Sequence, residues 1–214
     1  MIVLATTPFG EKSAVVHTIC REYGRRGFLV NVGKGGAKSK LQPLSVIQGE
    51  ASVNSKSALW RLGAIDPEYH LTGLRTSMSK NAIAVFISEV LFRTVREGAA
   101  DPAFYDWCLS AVLTLDALEG EYASYHIRFL LELAVQLGFS PDEVSLSPFA
   151  EENLSKITSF LRLPLAEALM LPMSGAERTA IASSILRYLE YHTESAINIR
   201  SLGVLHEIFA TEVK

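Results

Sequence analysis

Three glycines and three lysines crowd the stretch NVGKGGAKSKLQPL, residues 31–44. That composition suits phosphate: glycine lets backbone N–H groups approach closely, and lysine supplies the counter-charge. A triphosphate cradle needs G-x-x-x-x-G-K-[ST]. With Lys38-Ser39 as its K-S, the glycines would stand at positions 32 and 37, where this chain has Val32 and Ala37. A cradle also leads into a helix N-terminus, whereas Gln42-Pro43 and the β-branched Val46-Ile47 follow here. The loop is therefore read as contacting a nucleic-acid backbone, with an ordinary flexible basic loop as the alternative.

Other reactive side chains are scattered. His17 and Cys20 are three apart in a stretch that reads as a strand, so they face opposite sides and cannot form a thiolate–imidazole pair. His70, His126, His192 and His206 share no metal-site spacing, and neither H-E-x-x-H nor G-x-S-x-G occurs. Glu89, Asp116 and Glu132 sit singly in amphipathic segments. Cys20 and Cys108 form no C-x-x-C and read as reduced, buried thiols. No catalytic role, metal or cofactor is expected.

The elements that must carry these residues change character along the chain. Runs at residues 2–6, 14–20, 28–32, 44–47 and 58–65 are apolar and rich in β-branched residues, with glycine-bearing turns between them. Five such runs suggest a small closed barrel of the OB type; an SH3-like barrel fits the same pattern. Beyond Met78 the apolar period becomes helical, through Ile83, Phe86, Ile87, Val90 and Leu91. Asp101-Pro102 opens a second helix, Gly138 closes a third, and Ser140 with Glu143 has capping-box spacing. Ser174 with Glu177 starts a long helix, and residues 202–210 form the last. The expected fold is α+β with two domains: an OB barrel over 1–77 and an α-helical domain over 78–214.

Charge divides along the same line. Residues 1–80 hold 11 lysines and arginines against 5 carboxylates, net +6, while the rest hold 9 against 18, net −9. A basic barrel joined to an acidic helical part suggests separate partners. On an OB barrel, oligonucleotides cross the face of strands 2 and 3 and the loops after strands 1 and 4. Lys12, then Lys34, Lys38 and Lys40, then Lys56 fall on the loops after strands 1, 3 and 4, and Arg25 and Arg26 flank the second turn. Tyr23, Phe28 and Trp60 are candidate stacking platforms, Phe28 and Trp60 with a competing place in the core. No apolar run reaches the length of a membrane span. The opening residues lack a basic segment before their short apolar run, so a cytoplasmic location is expected.

The chain resembles the RecO family of bacterial recombination mediators in four successive stretches. They are IVLATTPFGEKSAVVHTICREYGRRGFLV near the start, LQPLSVI, KNAIAVFISEVLFRTVREGAADPAFYDWC, and ILRYLEYHTESAINIRSLGVLHEIF. The third is close to sequences of the Bacteroidetes type. The resemblance implies an OB-fold domain followed by a helical one, and a non-enzymatic protein. Such a protein binds single- and double-stranded DNA, anneals complementary strands and, with RecR, helps RecA load on DNA coated by single-stranded DNA-binding protein. Many family members contact the C-terminal tail of that coat protein.

Two departures stand out. Where many relatives carry a four-cysteine zinc module, this chain has GFSPDEVSLSPFAEENLSKITSFL, so no zinc is expected. The family's basic loop is usually longer and richer in arginine; here it is reduced to Lys34, Lys38 and Lys40. The shortened loop keeps two alternatives open: a protein–protein adaptor with weak DNA binding, and an RNA-binding OB protein.

Overall fold

The computed structural model describes residues 1–33, 37–53 and 59–211. The architecture is α+β: a five-stranded sheet and then a run of helices. The chain forms two compact units, each drawing on two stretches: Met1–Thr72 with Leu91–Thr114, and Gly73–Val90 with Leu115–Lys214.

The sheet lies in the first unit, in the order β1-β2-β3-β5-β4. Its strands are β1 (Ile2–Phe9), β2 (Ser13–Cys20), β3 (Gly24–Asn31), β4 (Ile47–Ser52) and β5 (Trp60–Pro67), with a short helix α1 (Ala37–Lys40) between β3 and β4. β2 and β3 pair along all eight residues, from Ser13↔Asn31 to Cys20↔Gly24. The parallel β3–β5 ladder covers only Phe28↔Trp60 and Leu29↔Arg61. Alternation buries Val16, Cys20, Phe28, Val30 and Leu62 on one face, with Val3, Leu41 and Ile47. Cys20 is a free thiol there, 3.2 Å from the Thr18 hydroxyl. Gly24 ends the β2–β3 turn at φ +65, and a Cβ on it would come within 2.5 Å of the Gly98 carbonyl oxygen. Only glycine meets both demands.

The sheet is open, and the closed barrel expected from the sequence is not formed. β1 and β4 meet at a single bridge, Ile2↔Val46, supported by Val3 N–H to Ser45 O at 2.9 Å and Leu44 N–H to Val3 O at 2.8 Å. Leu44 takes φ +56 with its side chain fully buried. That kink stops the chain from running extended alongside β1. It also moves the start of the fourth strand from residue 44 to Ile47.

Helices α2 (Thr72–Thr76), α3 (Met78–Thr94) and α4 (Pro102–Ala117) follow. Asp101 Oδ1 caps α4 by accepting the Phe104 N–H at 2.9 Å. The second unit adds α5 (Tyr125–Gln136), α6 (Glu143–Ala150), a 3-10 turn (Glu151–Asn153), α7 (Leu154–Arg162), α8 (Leu165–Leu169), α9 (Gly175–Thr193) and α10 (Ser201–Thr211). Helix α5 ends in a Schellman motif, with Phe139 N–H on Ala134 O, Gly138 N–H on Val135 O, and Gly138 at φ +88. The cap of α6 is Asp142 rather than Ser140: Asp142 and Ser145 bond each other's backbone N–H at 2.9 and 2.7 Å. Pro148 cannot donate to the Val144 carbonyl, and the Ser147 hydroxyl fills that place at 2.9 Å. At α9 the expected capping box forms, Ser174 with Glu177. His126 of α5 is buried against the edge of Phe86. The Glu89 carboxylate caps α10 through the N–H groups of Arg200 and Ser201. No helix among the described residues is long and apolar enough to cross a membrane.

Candidate nucleic-acid interface

The sheet face opposite the core carries the odd-numbered residues of β2 and β3, and its two ends differ. At one end His17 meets Phe92 edge-on, with ring centroids 4.9 Å apart. Arg25 lies 4.6 Å over the same ring and donates Nη1–H to the Val95 carbonyl at 2.7 Å. Burial lowers the pKa of Arg25, with the Glu97 carboxylate acting against the shift. It lowers that of His17 too, and there the Arg25 charge adds to the effect.

At the other end the face is open. β3 and β5 stop pairing after Leu29↔Arg61, and where they part a groove of about 430 Å³ runs across β2, β3, β5 and β4. Ser13, Leu29, Asn31, Glu50, Ser52, Arg61, Leu62 and Gly63 line it. Register sets the rows: Ser13 opposes Asn31, Leu29 opposes Arg61, Ser52 opposes Arg61, and Glu50 opposes Gly63. Arg61 is exposed, and among the described residues no hydrogen bond or ion pair ties it down. The β1–β2 turn borders the groove, since Lys12 O accepts the Val32 N–H at 2.8 Å and the Lys12 stem lies against Gly33. The lining offers a cation, amide and hydroxyl groups and an apolar floor, as a phosphodiester strand would require.

The seven cations expected at an interface have different placements. Lys12 is exposed beside the groove, and Lys38 is exposed on α1. Lys40 is committed within the unit, donating to Ile65 O at 2.6 Å and pairing with Asp66 at 2.8 Å. Arg25 is held as described above, and the Arg26 guanidinium covers the Trp60 ring at 4.3 Å. Lys34 and Lys56 lie outside the described residues. Phe28 is fully buried, and Trp60 is half-buried with Tyr23 edge-on at 5.1 Å. Because Phe28 and Trp60 point to the core face, they do not line the groove.

Sequence reasoning counted Arg61 as charge but not as part of a site, and it passed over Ser13, Asn31, Glu50 and Ser52. One signal was available: in a strand with Trp60 and Leu62 turned inward, Arg61 must point outward. No cluster of three or more potential metal ligands occurs among the described residues.

Comparison with known proteins agrees with this architecture. Residues 75–145 match the family described as "Recombination protein O C terminal". The chain is 28% identical to the "DNA repair protein RecO" of Phocaeicola vulgatus, the match covering 98% of this chain and 97% of the relative. It is 26% identical to that of Bacteroides fragilis, over 97% of both chains. To that of Flavobacterium psychrophilum it is 25% identical, over 98% and 97%. A family-specific match in the helical part thus stands beside a likeness to RecO proteins that runs nearly end to end.

Proposed function

We propose that the protein serves DNA repair as a non-catalytic recombination mediator. In this reading it binds single- and double-stranded DNA and anneals complementary strands. With RecR it helps RecA load on DNA coated by single-stranded DNA-binding protein, whose tail it contacts. The observation that carries the reading is the open groove, with Lys12 at its border and Arg61 inside it making no hydrogen bond or ion pair among the described residues. Neutralising phosphates there gives affinity that falls with salt and needs no catalytic group. Shielded strands can then approach, and base pairing drives the annealing. The names of the RecO relatives support the repair role.

The test is fluorescence anisotropy of a labelled single strand across a salt series. Lys12→Ala with Arg61→Ala should flatten the log–log salt slope by about 1.4, at roughly 0.7 per phosphate contact. Gly63→Tyr should block the groove without disturbing the fold, since a Cβ at Gly63 meets nothing within 4 Å. The adaptor reading has its own support, because Arg25 and Lys40 are engaged inside the protein. Absence of salt-dependent binding in the unmodified chain would favour it.

A further inference from the structure

The groove holds a carboxylate as well as a cation, and a carboxylate has no use for a phosphate. Glu50 sits on β4 at an irregularity of the β4–β5 ladder: Gln48 pairs with Asp66 but Glu50 with Gly63. Two residues of β5, Ala64 and Ile65, thus stand against Gly49 alone, and Ala64 adopts φ +48 to allow it. A regular ladder would set Glu50 opposite Ala64. The bulge sets it opposite a residue with no side chain, which leaves the carboxylate uncovered at the groove. Arg61 is its diagonal neighbour, a relation that spans about 7–8 Å. Among the described residues the two form no ion pair, and the Glu50 carboxylate accepts no hydrogen bond. An unused acceptor and an unused cation therefore stand apart in one groove.

We infer that Glu50 reads the pairing edge of an unpaired guanine while Arg61 takes backbone phosphate. A carboxylate accepts two parallel hydrogen bonds. Among the DNA bases only guanine offers two adjacent N–H donors on that edge, N1–H and the 2-amino group; adenine, cytosine and thymine each offer one. In a duplex those donors already serve cytosine, so the contact is confined to single strands. The groove volume of about 430 Å³ is within the range of small-ligand sites.

This inference rests on the DNA-binding reading and adds base preference to it. Anisotropy would compare three short labelled strands: all thymidine, the same with one central guanine, and the same with hypoxanthine, which lacks the 2-amino group. The guanine strand should bind about 5- to 10-fold more tightly than the thymidine strand, and hypoxanthine should lose most of that gain. Glu50→Gln should remove the preference, so that the three strands bind with the same affinity as one another. Equal affinities in the unmodified chain, or a guanine preference that survives Glu50→Gln, would overturn the inference and leave DNA binding intact. No salt-dependent binding to any strand would remove the DNA-binding reading and this one with it.

Discussion

Arg25 and Arg61 share one face of the sheet, yet the surroundings give them opposite roles. Arg25 holds the Val95 carbonyl and the Phe92 ring, so Arg25→Ala leaves a carbonyl without its donor. It should cost about 1–3 kcal/mol of stability, read as a lower Tm, with the salt slope for oligonucleotide unchanged. Arg61→Ala should do the reverse. A second residue-scale expectation concerns His126, whose pKa burial pushes down to about 3, with the Arg178 charge adding to the shift. The unfolded chain takes up a proton near pH 6.5 and the folded chain does not. The contribution of His126 is therefore complete above pH 6.5 and declines as pH falls from there toward 3. Thermal melts over that window should show the decline, and His126→Phe should reduce it.

At the scale of elements, helix ends follow local chemistry. The Ser174–Glu177 box closes as its spacing requires, and Glu177 also pairs with Lys156 of α7. Ser174→Ala should cost about 1 kcal/mol, measurable by denaturant titration. Asp101 and Gly138 were equally legible, because a cap depends on residues within one turn. What the sequence hid was set by distant partners. The positive φ of Leu44 accompanies a bond to Val3, and it both delays β4 and leaves the sheet open. The commitment of Arg25 depends on a carbonyl 70 residues away. The groove depends on a parallel register between Leu29 and Arg61 that no local pattern specifies. Even within one turn, two acceptors competed for α6. Asp142 prevailed because Ser145 could return its bond, a reciprocity that Ser140 lacks here.

For the molecule as a whole, charge and connectivity matter more than any single bond. The net +6 of residues 1–80 against −9 for the remainder favours polyanion contact through the sheet-bearing part. The sheet itself consists of a three-stranded meander, β1 to β3, and a separate hairpin, β4 with β5. Among the described residues β3 and β5 share two parallel residue pairs, and at the other edge β1 meets the hairpin at the one bridge Ile2↔Val46. Contacts that close a loop of some thirty residues come late in folding, and a seam with so few bonds is the first to let water in. Native-state hydrogen exchange should find amides of the seam, around residues 28–29 and 60–61, less protected than their neighbours in the β2–β3 ladder. If so, the line along which the groove opens is also the line along which this sheet breathes.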